Sequence, residues 1–274
     1  MRRLPDVLSR LVVHDDAAHR LGGAVPSPAV AFLLSLIALP ALFWLVMLKR
    51  TTVYTAPEEW LMSSVVEPVH AWVETNLNPL DTVIVGISAL GSGWFVALAF
   101  AALGLLALSR NRRDLAFLLA LGTLAFPIEW ALKYFTSIDA ISVGQLVAAM
   151  FNVDNVGLDD VADFPAGHAL RATVLYGLAA FCVARLAHDY RQGMGAYAAA
   201  LVAIGAISAT RIYLGAHYPM DVLGGWIAGG SLLAILVAIH VLRVDERARL
   251  RERQLRRGRQ RRVAVPRRRP QPEG

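Results

Sequence analysis

Apolar stretches long enough to cross a hydrocarbon layer recur along this chain, and no other feature constrains its folding as strongly. A membrane span needs about 20 such residues, and six segments qualify: Pro28–Leu48, Gly93–Ser109, Leu115–Phe135, Pro165–Leu186, Met194–Tyr213 and Met220–Leu242. Backbone amides find no water in lipid and must pair within their own segment, so these spans are predicted to be helices rather than strands. Composition agrees. Of 274 residues, 56% are hydrophobic and only 18% charged, with a mean hydropathy of +0.50, values that exclude an ordinary soluble domain. The expected fold is therefore all-α: a polytopic six-helix transmembrane bundle, residues 28–242, between an N-terminal segment 1–27 and a basic tail 243–274.

The first twenty residues, MRRLPDVLSRLVVHDDAAHR, contain basic groups but no adequate apolar core, so a cleavable signal is not expected and the first span serves as the insertion signal. Cys182 is the single cysteine, which rules out an intramolecular disulfide and a thiolate-rich metal cluster. Basic residues near span ends favour the cytoplasmic side. Arg110–Arg113, the stretch RLAHDYR at Arg185–Arg191 and the region after Arg243 all fall on one face of a six-span arrangement, outnumbering Lys49 and Arg50. Both termini are thus expected in the cytoplasm, and segments 49–92, 136–164 and 214–219 on the outer face of what is expected to be a bacterial cytoplasmic membrane.

Between the first two spans, apolar and charged residues alternate at helical spacing, broken by Pro57, Pro68 and Pro79, which predicts short amphipathic helices at the outer interface. The stretch ISALGSG, which ends at Gly93, is expected to extend the second span upstream. The connection from Thr136 to Asp163 is long for a compact bundle and suits a cover over a site. The tail from Arg243 onward carries thirteen arginines against Asp245, Glu246, Glu252 and Glu273, a net charge of +9 in a chain whose total is +6. This predicts a solvated helix extension that fixes topology and touches anionic lipid. Nucleic acid is not an expected partner, because no aromatic interleaving or nucleic-acid motif accompanies the arginines.

Three polar clusters fall at the outer ends of spans. Lys133 closes PIEWALKYF, Pro165-Ala166-Gly167-His168 opens the fourth span, and TRIYLGAHYPMD carries Arg211, His217 and Asp221. Any one alone is an interfacial anchor; together they suit phosphoryl transfer. Lys133 and Arg211 supply positive charge for a phosphate, and Gly167 at a helix start lets backbone N–H groups approach its oxygens. Of the two histidines, one can attack phosphorus while the other protonates the departing oxygen. His217 and Asp221 stand at i and i+4, so a helical turn brings the carboxylate to the imidazole and fixes its tautomer. Arg171, one turn beyond Gly167 and His168, either reaches outward to headgroups or turns into the phosphate site.

These residues resemble the type 2 phosphatidic acid phosphatase superfamily, membrane enzymes related to the vanadium haloperoxidases. The family's three motifs read K-x-x-x-x-x-x-R-P, P-S-G-H and S-R-x-x-x-x-x-H-x-x-x-D. The third is present here as Thr210-Arg211 through His217 to Asp221 and the second as Pro165-Ala166-Gly167-His168; with NPLDTVIVGISALGS and the six-span plan, the resemblance covers roughly residues 28–242. It implies a phosphohistidine mechanism without metal or other cofactor: His217 as nucleophile, Asp221 as its orienting partner, His168 as general acid, and Lys133, Arg211 and Gly167 as phosphate binders. Three departures accompany it. Ala140 and Ile141 stand where the family has Arg-Pro, Ala166 replaces one serine, and Thr210 another. Loss of one charged hydrogen bond to phosphate costs about 1.5–3 kcal/mol, and Arg171 is the nearest arginine in sequence to offset it.

The resemblance implies a lipid phosphate substrate, with phosphatidic acid, phosphatidylglycerol phosphate and isoprenoid diphosphates as candidates. A lipid phosphotransferase would differ only in the hydroxyl that intercepts the phosphohistidine, and a non-catalytic lipid-phosphate-binding relative would keep the fold and part of the pocket. A transporter fits less well, because the charges sit at span ends rather than at the midplane.

Overall fold

The structure, a computed structural model, describes residues 28–49, 52–136, 164–187 and 189–264, and among them all regular structure is helical. In chain order the helices are α1 (Pro28–Lys49), α2 (Thr52–Leu61), a π-helical turn (Met62–Val66), α3 (Glu67–Asn76), α4 (Asn78–Ala89), α5 (Gly93–Ser109), α6 (Arg113–Gly122), α7 (Ala125–Thr136), α8 (Gly167–Leu186), α9 (Tyr190–Tyr213) and α10 (Pro219–Ala264). The connection expected to cover the site, the segment 1–27 and the last ten residues lie outside the described residues.

Four segments are long and apolar enough to cross a membrane by themselves: Arg113–Thr136, Gly167–Leu186, Tyr190–Tyr213 and Pro219–Val244. A fifth forms only when Pro79–Ala89 and Gly93–Ser109 are taken together, across a bend of 55°. The second expected span is therefore longer than Gly93–Ser109 and broken, with Gly91-Ser92-Gly93 at the break. Ser92 caps the second half by accepting from Phe95 N–H. The first expected span is α1, a 22-residue helix that lies against α10. The chain is an integral membrane protein. Leu98, Leu105, Leu201 and Val202 are each about two-thirds or more exposed, as side chains facing acyl tails must be, and Phe135 stands at a span end where aromatic rings favour the lipid–water boundary.

α8 is the centre of the bundle. It packs on α9 and α10, and its residues Leu170, Val174 and Leu178 are fully buried. Close approach of α8 and α10 depends on small residues at four-residue spacing. A Cβ at Gly225 would meet the Ala166 carbonyl at 2.6 Å and one at Gly229 the Leu170 carbonyl at 2.7 Å, so both positions must be glycine for the backbones to touch. This contact draws the first turns of the two helices together.

The polar-interface region is helical as expected, from Thr52 to Asn76 with a single π-helical turn. It is also tied down. His70 of α3 stands 3.5 Å from Asp81 of α4, which accepts from the Tyr213 hydroxyl at the end of α9. α10 continues as a helix through Ala264, well past the last apolar residues.

Candidate active site

α9 ends in a turn whose geometry is written in the sequence YLGAH. Gly215 has φ +70°, the left-handed conformation that favours glycine, and the two diagnostic bonds of a Schellman motif are present: Ala216 N–H donates to Arg211 O and Gly215 N–H to Ile212 O. His217 N–H also donates to Arg211 O, at 3.3 Å. One carbonyl thus holds Arg211 and His217 together, the physical reason for their six-residue separation. The Arg211 guanidinium donates to Ser88, a buried hydroxyl near the end of α4.

His217 and Asp221 are both buried, with Nδ1 and Oδ2 3.9 Å apart. This is the expected proximity but longer than a hydrogen bond. The carboxylate also performs a local task, accepting the Tyr218 N–H at 3.0 Å in the manner of a capping box, and the next donor, Met220 N–H, is taken by Glu58 of α2 at 2.8 Å. Two carboxylates therefore satisfy the start of α10. Glu58 was not marked by the sequence, where it is one acid in an amphipathic run.

The start of α8 is pinned to this turn, since Ala166 N–H donates to Asp221 O at 2.9 Å. Ala166 itself is fully buried with Ala169 and Val222, so an apolar contact stands where the family motif has serine. The Thr210 hydroxyl bonds back to Ile207 O within its own helix. His168 is half-buried beside Gly91, where an added Cβ would come within 3.2 Å of the imidazole. Thr136, at the end of α7, donates to Phe164 O and joins the first cluster to the second.

The charges beneath this surface differ most from expectation. Lys133 is completely buried, and so is Glu129, one turn earlier on α7. Glu129 forms an ion pair with Arg171, whose side chain is 7% exposed, and the remaining donors of Arg171 reach Gly91 O at 3.2 Å and His168 Nδ1 at 3.4 Å. Arg171 thus turns inward, not outward to headgroups. The glycine at 167 has a second reason to be there: an added Cβ would collide with the Glu129 carboxylate and crowd Arg171. Glu129 was missed in the sequence, although an acid inside an apolar span is itself a signal.

The structure brings Lys133, Gly167, His168, Arg171, Arg211, His217 and Asp221 to one end of the bundle. Ala140 and Ile141, where the family's first motif continues, lie outside the described residues.

With this geometry in place, the sequence matches a known family model over residues 145–245, described as the PAP2 superfamily. The match spans 101 of the 274 residues. It takes in α8, the Schellman turn and the start of α10, the parts that carry the second and third motifs. A solved structure, the first transmembrane PAP2 type phosphatidylglycerolphosphate phosphatase from Bacillus subtilis, is similar at a TM-score of 0.54 and 22% sequence identity, over 81% of this chain and 96% of that one. The likeness shows a shared fold that extends beyond the matched residues to most of the chain. No curated protein matches the sequence.

Proposed function

We propose that this protein is an integral membrane lipid phosphatase, with residues 28–242 as the enzyme and 243–274 as a basic tail. The observation that carries this reading is the pinning of α8 to the turn before α10 by the Ala166–Asp221 bond, which holds His168 and the buried His217–Asp221 pair at one end of the bundle. His217 attacks phosphorus, the bond to the leaving oxygen breaks, and His168 supplies that oxygen with a proton. Water then attacks the phosphohistidine and returns a proton to His168, so that ester and water give alcohol and inorganic phosphate. Asp221 orients His217. Lys133, Arg211 and the first turn of α8 at Gly167 meet the phosphate charge, while Arg171, held by Glu129, positions His168 and offers its remaining donor to the same anion.

The substrate class follows from the setting. A site at the end of a membrane bundle that also exposes tryptophans on α2, α3 and α5 suits a phosphate carried on a lipid. The relative of known structure is named for phosphatidylglycerolphosphate, which makes that monoester the first to test, with phosphatidic acid and isoprenoid diphosphates beside it. We place the site on the outer face with both termini in the cytoplasm, on the strength of the arginines at the opposite span ends. Purified protein in detergent should release phosphate from one or more of these lipids, and acid-labile phosphate should be trapped on His217. Absence of release from the whole panel, with the protein folded, overturns the reading; transfer to an added alcohol in place of water identifies a phosphotransferase.

A further inference from the structure

Far from the histidines, the bundle contains a cavity of about 520 Å³ between the start of α6 and the middle of α10. His240, at its wall, lies 21 residues beyond Pro219, and at 1.5 Å per residue that is about 30 Å along α10, the thickness of a hydrocarbon layer. The cavity therefore opens at the opposite membrane boundary from the site described above.

Its walls have two characters. Leu118, Leu121, Leu236 and Ile239 make one side apolar along the direction of the bundle. At the mouth stand Arg113 on α6 and Arg243 on α10, two guanidiniums from different helices. Arg243 lies over the Phe117 ring, 4.4 Å from its centre. Stacking holds a guanidinium by its face and leaves its N–H edge directed sideways, the orientation in which arginine grips phosphate oxygens. The N-terminus of α6 opens at the same place, with Arg112 as its cap and no side-chain capping bond. One acid is present: Asp114, 4.0 Å from His240, whose imidazole is buried and packs edge-on against Phe181. That pairing directs the acid toward the histidine, and with its charge counted against the two arginines the mouth stays net positive. A buried histidine facing a carboxylate inside a span is costly to retain without a role.

We propose that this cavity binds an anionic glycerophospholipid, its phosphate between Arg113 and Arg243 and an acyl chain along the leucine wall. The complementarity is specific in both parts. An anion alone would leave the apolar wall uncovered, and a zwitterionic lipid would bring a positive headgroup to a mouth that is already positive. The site is separate from the catalytic chemistry and from the arginines after residue 247.

The experiment uses the full chain in detergent, with thermal unfolding followed as phosphatidylglycerol, phosphatidylcholine or inorganic phosphate is added, and bound lipid counted by native mass spectrometry. Phosphatidylglycerol should raise Tm by several degrees and remain bound in the spectrometer, and phosphatidylcholine should do neither. Arg113→Gln combined with Arg243→Gln should remove most of the shift and the retained lipid; truncation after Arg247 should preserve both. Leu121→Trp, which fills the apolar wall and leaves the arginines intact, should weaken the lipid effect by itself. Full stabilisation of the double-glutamine variant overturns the proposal, as does equal stabilisation by phosphatidylcholine. An equal shift from inorganic phosphate that the double-glutamine variant also loses overturns it too, because the occupant of the cavity is then a free anion.

Discussion

The first turns of α8 and α10 touch, yet they are finished in opposite ways. α10 is closed by carboxylates: Asp221 takes the Tyr218 N–H and Glu58 the Met220 N–H. α8 begins at Ala166, which has no side chain able to cap, and its own N–H is spent on Asp221 O. The unpaired amides of a helix start attract negative charge. At α10 the protein supplies that charge itself, and this fixes the turn carrying His217. At α8 no carboxylate caps the helix; Glu129 is held to the side by Arg171. The two helix starts thus differ in how they are completed: α10 by the chain's own carboxylates, and α8 in the way the proposed mechanism uses to receive a phosphate.

The largest effect that tests this division is at His217. His217→Ala should lower turnover of a short-chain phosphate ester by at least about a thousandfold while the protein remains folded, because removal of a nucleophile leaves only binding and electrostatic catalysis. A fully active variant would end the assignment of His217 as the nucleophile.

Next is the charge beneath α8. Glu129→Gln strands the buried Arg171 guanidinium, and breaking a buried pair from one side costs about 3–5 kcal/mol. Denaturation in detergent should show that loss, and Glu129→Gln with Arg171→Gln should recover a substantial part of it. If the single variant is as stable as the parent, the pair does not support the start of α8. Arg171→Lys keeps the charge but not the forked geometry. It should retain more stability than Arg171→Ala and still lower kcat/KM.

Smaller again is the cap on α10. Glu58→Ala frees one N–H and should cost about 1 kcal/mol of stability, the usual worth of a helix cap, with kcat/KM changed by no more than a few-fold. A loss as large as that of His217→Ala would mean that Glu58 takes part in the chemistry.

The smallest effects are expected far from both helix starts. Removing the chain after Arg247 should leave hydrolysis of a soluble ester unchanged, and so should a chelator, since the proposed phosphate contacts are Lys133, Arg211 and backbone amides. Activity that is lost in chelator and restored by one divalent ion would assign part of the phosphate charge to a metal.

How legible this arrangement is in the sequence differs from residue to residue. Apolar runs of twenty residues have one solution in lipid, so the helices and most of their limits follow directly. The Schellman turn is legible for a similar reason: a glycine just past a helical run, before AHYP, has few alternatives. The break at Gly91-Ser92-Gly93 was not anticipated, because the same apolar stretch reads as an upstream extension of the span. Glu129 and Glu58 were not legible, because an acid's partner depends on which helix faces it, and no local pattern specifies that.

What the sequence alone determined, then, is the helical character of the apolar segments, the spacing of Arg211, His217 and Asp221, and the end of each span at which charge collects. These are consequences of period, length and local turn chemistry, which act over a few residues. The tertiary structure decided that Arg171 turns inward to Glu129, that Gly167 is glycine partly because a carboxylate lies against it, and that Glu58 closes the helix that carries Asp221. Those outcomes rest on contacts between residues 42 and 162 positions apart. In a low-dielectric interior a charge must be paired with whatever its neighbours present, and only the packing of α8 against α7 and α10 sets who those neighbours are.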